Sequence, residues 1–282
     1  MCRTFIVCLL LLYQFPAAAQ HSTDTLLSAP KSRKPVKRFY IYWGWNRAWN
    51  SDSDIRFTGT DYNFTLDNVA ANDRQSEFDF ETYANPATLS IPQTVLRIGY
   101  VLNKHWDISF GADHMKYVMV QNQTVNISGS IEGESNGYNG NYDNTPITLT
   151  EDFLKFEHTD GLNYLNIELR RSDELIDLNP KQAGRFTVNL TEGIGAGALL
   201  PRTNTTLMSK ERYDEFHLSG YGISAVAGMN VTLWKYFFLQ TEAKAGYINM
   251  PDIRTTHSKA DKASQHFTFF QWNMALGVNV YF

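Results

Sequence analysis

Phe267–Phe282 reads FTFFQWNMALGVNVYF, and this stretch decides the fold class. From Phe270 onward every second side chain is apolar: Phe270, Trp272, Met274, Leu276, Val278, Val280 and Phe282. Gln271, Asn273, Ala275, Gly277, Asn279 and Tyr281 fall between them. A period of two is the signature of a β-strand with one greasy face and one polar or small face.

Upstream the same alternation recurs. A first strand is expected at 38–49, with Phe39, Ile41, Trp43 and Trp45 opposed to Tyr40, Tyr42, Gly44 and Asn46. Further strands are expected at 93–102, 106–119, 161–171, 185–199, 216–233 and 237–248, which with the C-terminal segment makes eight. Segments 54–66 and 122–132 also alternate (Ile55, Phe57; Val125, Ile127). They leave two readings open: ten strands in one closed sheet, or hairpins extended beyond an eight-stranded one.

The beginning of the chain reads differently. Arg3, the apolar run Phe5–Tyr13 and the small residues Ala17–Ala19 form a signal peptide over 1–19. The run is too short for a membrane-spanning helix, which needs about 20 residues. Both cysteines, Cys2 and Cys8, lie inside it, so the mature chain has neither disulfides nor thiolate chemistry. Residues 20–37, with Lys31, Arg33, Lys34 and Lys37 alongside Pro30 and Pro35, read as a flexible lead-in to a single domain at 38–282.

With 25 Lys+Arg against 29 Asp+Glu, the formal net charge is −4, which argues against a nucleic-acid partner. Aromatic residues make up 14%, which suits strands and also suits aromatic belts at a membrane boundary.

Alternation alone does not say whether the greasy face points in or out. Three features decide. Connections alternate between long polar segments (50–92, 120–160, 200–215, 249–266) and shorter ones (103–105, 172–184, 234–236), as in membrane barrels. The polar face is rich in glycine and charge together, which suits a crowded lumen. The chain also carries an export signal and ends on Phe282.

This pattern resembles the small outer-membrane β-barrels of Gram-negative bacteria, of the OmpA/OmpX type, over about residues 38–282. The resemblance implies a closed, antiparallel, up-and-down transmembrane barrel of all-β class, with both termini in the periplasm and the long loops outside. It makes Phe282 the signal read by the outer-membrane assembly machinery, and outer-membrane lipid and lipopolysaccharide the surroundings. In so narrow a barrel side chains fill the interior. Arg97, Asp107, Asp113, Glu168, Arg170, Glu242 and Lys244 are expected to point inward and pair, because isolated buried charges are expensive. Trp49 near the outer end of the first strand, and Trp106, Trp234 and Tyr236 beside the short turns, form the interfacial belts.

Chemistry has thinner support. His217 and Ser219 share the spacing of lipid A deacylases, similar barrels whose nucleophilic serine follows a histidine by two residues. Parity counted from Tyr221 and Ile223 puts both on the lipid-facing side. The acidic residues considered as orienting partners are Glu211, Glu215 and the inward Glu242. Asp113, His114 and Lys116 form a second polar cluster, best read as rim hydrogen bonding. Asp52 and Asp54 match half a calcium loop without its glycine or closing glutamate, so no metal is assigned. Gly193, Gly195 and Gly197 alternate on one strand face and read as close lumen packing rather than a phosphate cradle. No cofactor is expected. The function implied is a non-enzymatic barrel whose long outer loops meet an extracellular ligand. A lipid A deacylase-like hydrolase or a narrow small-solute channel is the alternative.

Overall fold

The computed structural model describes residues 37–77, 92–133, 137–179 and 185–282. The expected signal peptide and nearly all of the lead-in lie outside them. Along the chain the strands are β1 (Arg38–Asn50), β2 (Ser53–Thr58), β3 (Tyr62–Val69), β4 (Ala71–Asn72), β5 (Thr94–Val101) and β6 (Trp106–Met115). Then come β7 (Val118–Met119), β8 (Thr124–Ile131), β9 (Gly140–Thr148), β10 (Leu154–Glu157) and β11 (Leu162–Asp177). The last five are β12 (Phe186–Pro201), β13 (Asn204–Leu207), β14 (Gly220–Leu233), β15 (Phe237–Arg254) and β16 (Lys262–Tyr281). No helix occurs among the described residues.

Eight of these strands close a ring. They pair antiparallel in the order β1-β5-β6-β11-β12-β14-β15-β16, and β16 returns to β1 from Arg38↔Tyr281 to Asn50↔Phe269. The stagger follows from the register. A walk across paired residues runs Phe39, Tyr100, Ile108, Leu169, Ile194, Ala225, Ala245 and Phe270, and re-enters β1 at Trp49, ten residues beyond its start. Ten residues of shear over eight strands tilts each strand by roughly 40° from the barrel axis. Every residue on that walk faces outward. The outward positions of β16, from Phe270 to Val280, form the apolar band, and above Phe270 they turn polar with Thr268 and His266. This is a lipid-facing surface of bilayer height.

The strand ends differ from the sequence reading at the outer rim. β15 and β16 keep pairing to Arg254↔Lys262 past a bulge between Met250 and Ile253. β6 stops at Met115 rather than 119, since the chain there leaves the wall. β11 runs on to Asp177, so part of the expected 172–184 turn is strand.

The larger departure concerns the long loops, which are folded. β2 pairs with the outer end of β16, and β3, β8 and β9 follow it, so the wall continues upward as a blade. A second small sheet, β13-β10-β7-β4, accompanies it. Ile55, Phe57, Phe64, Leu66 and Ile127 of the blade are buried in one core with Tyr117, Phe153, Phe156 and Leu207. The ring therefore has eight strands, and segments 54–66 and 122–132 take the alternative of hairpins above it. β9 begins at Gly140 within the glycine- and asparagine-rich stretch 137–144, while 134–136 lies outside the described residues.

Candidate functional site

Inside the barrel the strand pleat sends one set of side chains to a shared axis, and these are the polar ones. Arg97, Asp107, Asp113, Glu168, Arg170, Glu242 and Lys244 are all buried there. Glu168 sits at the centre: Arg97 Nη2 and Lys244 Nζ each approach its Oε1 at 2.8 Å, and Arg170 Nε donates to its Oε2 at 2.6 Å. Lys244 also reaches Asp113 Oδ2 at 2.5 Å, and Arg170 Nη1 donates to Glu242 Oε2 at 2.9 Å. Charges taken out of water are tolerable in this form, each with opposite charge and hydrogen bonds around it. Asp107 stands apart and accepts from the Tyr40 hydroxyl at 2.6 Å.

Several members escaped the sequence reading. Arg170 Nη2 donates to the Tyr42 hydroxyl at 2.9 Å, and Asn166 and Asn273 supply further amides to Arg97 and Glu242. Tyr40 and Tyr42 do lie on the polar face of the first strand, which was the available signal. Their rings look apolar in a sequence, but their hydroxyls are lumen donors. Glycine makes the room: a Cβ on Gly111 would stand 2.6 Å from Arg97 Cζ, and one on Gly195 would stand 2.7 Å from Glu168 Cγ.

The lumen is layered. Below the ion cluster, a polar cavity of about 50 Å³ faces the end of the barrel that carries the β14–β15 turn, lined by Tyr40, Asp107, Arg170, Asn189, Asn230 and Gln240 among others. Above the cluster, Tyr164, Leu199, Ile248, Met250 and Phe269 belong to the same hydrophobic core as the outer sheets. The outer mouth is thus filled with apolar side chains that continue into the blade.

At the rim, the candidate pair looks unlike a nucleophile and its base. His217 Nε2 lies 3.0 Å from Asp252 Oδ2, and the Ser219 hydroxyl donates to the carbonyl of His217 at 3.3 Å. Ser219 is buried rather than lipid-facing. Parity counted back from Tyr221 fails because β14 begins only at Gly220 and the chain above it changes phase. The carboxylate that orients His217 is Asp252, which the sequence reading passed over, while Glu242 is engaged in the lumen. Asp113 and His114 also part company: Asp113 binds Lys244 inside, and His114 Nδ1 meets Asn163 Oδ1 at 2.8 Å.

Trp49, Trp106, Trp234, Tyr236 and Phe282 are all exposed. Trp49 packs on Phe270 (5.7 Å between ring centroids) at the upper edge of the apolar band, and Phe282 stacks on Phe39 (5.4 Å) at the lower edge. Tyr236 packs on Tyr281 beside the β14–β15 turn.

Under the outer sheets one histidine is enclosed. His158 Nδ1 meets Thr203 Oγ1 at 3.0 Å, with the rings of Tyr117 and Phe156 beside it, and burial pushes its pKa down to about 3. Burial likewise pushes Tyr117 up to about 12, while its hydroxyl pairs with Ser53.

No protein-family profile and no curated protein sequence matches the chain. Solved barrels are similar in outline. Outer membrane protein OprG of Pseudomonas aeruginosa is 9% identical at a TM-score of 0.38, covering 88% of this chain and 98% of its own. Neisserial surface protein A is 12% identical at 0.32, covering 86% and 97%. Ail of Yersinia pestis is 9% identical at 0.30, covering 87% and 99%. At such values the strand pairing of this chain itself carries the assignment of its fold.

Proposed function

We propose that this chain is a non-enzymatic barrel of the Gram-negative outer membrane that holds a rigid β-sandwich outside the cell as a contact surface. The observation that carries this reading is the hydrophobic core of the outer sheets. Phe57, Phe64, Phe153 and Phe156 are fully buried above the apolar band, where a mere hairpin closure needs only a few residues. Burying that much aromatic surface fixes the shape of whatever faces the medium. The solvent face of the blade presents Asn63, Thr65, Asn126, Ser128 and Thr145 with the charged Asp54, Arg56 and Asp67 among them, a polar sheet suited to ligands such as lipopolysaccharide sugars. Export, the outer-membrane address and the reading of Phe282 by the assembly machinery belong to the same proposal.

The filled lumen supports a contact role over a channel, since among the described residues the ion cluster and the apolar side chains above it occupy the barrel interior over the polar cavity. The test is adhesion to lipopolysaccharide-coated and cell surfaces by a deletion strain carrying the wild-type chain or the Thr65→Arg/Asn126→Arg variant. Both sites point to solvent, so the variant should reach the surface in equal amount and adhere less. Equal adhesion by the wild-type strain and the deletion strain removes the reading.

A further inference from the structure

Glu192 carries a carboxylate on the lipid-facing wall. It points outward from the middle of β12, where the outward positions on either side of it are the exposed Leu190 and Ile194. Its register row crosses Ala227 and Ala243 to Trp272, inside the apolar band. Among the described residues the Glu192 carboxylate has no hydrogen bond and no ion pair. A charge set against hydrocarbon is costly, and such groups are almost always paired. The residue directly beside Glu192 on the same face is Arg171 of β11. Arg171 is turned along its own strand instead, with Nε 2.7 Å from Asp173 Oδ2 and Nη2 3.4 Å from Oδ1. His105 Nδ1 also meets Asp173, at 2.7 Å. That leaves Arg171 Nη1 without an acceptor among the described residues.

At this strand tilt, register partners on adjacent strands differ in height by only about 3 Å, so Arg171 and Glu192 lie side by side at one depth. A two-fold axis along the membrane normal and between them would set Arg171 of each copy against Glu192 of the other. The surface above the pair is apolar, with Ile167 and Leu169 exposed on β11 and Ile194 and Ala196 on β12. Ile194 is the register partner of Leu169, and the tilt lifts it to a height between Leu169 and Ile167. Aliphatic side chains of two copies would therefore interleave across the axis. Asp173 lies lower, beside Leu190, and keeps His105 as its own partner, so no carboxylate opposes it. We propose that the outward face of β11 and β12 is an intramembrane contact between two copies of this chain. In it the Arg171 guanidinium of one copy completes the Glu192 carboxylate of the other, and the charge leaves the hydrocarbon.

Cross-linking of the full chain in lipid vesicles tests this, with Cys2→Ser and Cys8→Ser as background. Ile194→Cys places a thiol beside the axis, and Met274→Cys places one on the far wall, where β16 meets β1. A short bis-maleimide should join copies through the first thiol and not through the second. Glu192→Arg and Arg171→Glu should each cut that yield at least about fivefold, because like charges then meet across the axis. The milder Glu192→Gln should lower it as well, and the heat-dependent gel shift reports that each variant is folded. A mixture of Glu192→Arg and Arg171→Glu chains should recover the yield, since each is complementary only to the other. Pairing of Arg171 with Glu192 inside one copy cannot produce that recovery. No cross-link through Ile194→Cys would leave Glu192 to a lipid headgroup or to its own Arg171 and overturn the proposal. So would equal cross-linking through Met274→Cys, indifference to the charge changes, or a mixture as weak as its components.

Discussion

Lys244 Nζ lies 2.5 Å from Asp113 Oδ2, joining β15 to β6 across the barrel axis between residues 131 positions apart in the chain. The same ammonium touches Glu168, so one cation bridges two carboxylates contributed by different strands.

Replacing it should therefore hurt more than replacing a surface lysine. Lys244→Met is expected to lower stability by about 3–5 kcal/mol, because it leaves buried carboxylates short of charge. Lys244→Met combined with Asp113→Asn should recover a good part of that loss. Guanidinium unfolding in lipid vesicles measures both, and a double variant as unstable as the two single losses added together would deny the coupling.

Ring closure predicts a gel behaviour. Every barrel strand pairs on both sides, so cold detergent has no edge at which to begin unzipping. Unboiled protein should migrate faster in SDS than boiled protein. Identical mobility would contradict a closed ring.

The outer core should fail separately from the wall. Phe156 packs against Phe57, Tyr117 and His158, and Phe156→Ala is expected to remove about 3–5 kcal/mol from the sandwich. On intact cells, external protease should then cut the 50–92 and 120–160 segments while the heat-dependent gel shift survives. Loss of the shift would make the two parts one cooperative unit.

His158 gives the sandwich a pH dependence of definite sign. Its folded pKa of about 3 lies below the unfolded value of roughly 6.5. Above pH 6.5 neither state binds the proton, and stability is whole. As the pH falls from 6.5 toward 3 only the unfolded state takes the proton, so the sandwich loses about 2 kcal/mol between pH 7.5 and 5. Protease resistance of the outer segments, read at both pH values, should show this loss, and His158→Gln should flatten it. An unchanged slope in that variant would place the titration elsewhere.

By itself the sequence determined the wall. Alternation is a local property, since a pleated backbone sends neighbours to opposite faces whatever lies beside it. The eight ring strands and the inward course of Arg97, Glu168 and Lys244 were therefore legible residue by residue. Only the tertiary structure decided the partners. That Lys244 meets Asp113, that Asp252 rather than a nearby glutamate orients His217, and that Ser219 turns away from the lipid depend on register and on where a strand begins. The outer sandwich was hidden for the same reason. Ile55, Phe57, Val125 and Ile127 show strand periodicity. Pairing β2 with β16 and β3 with β8 is a long-range choice, made favourable by a core with Phe153 and Phe156 that no local stretch contains.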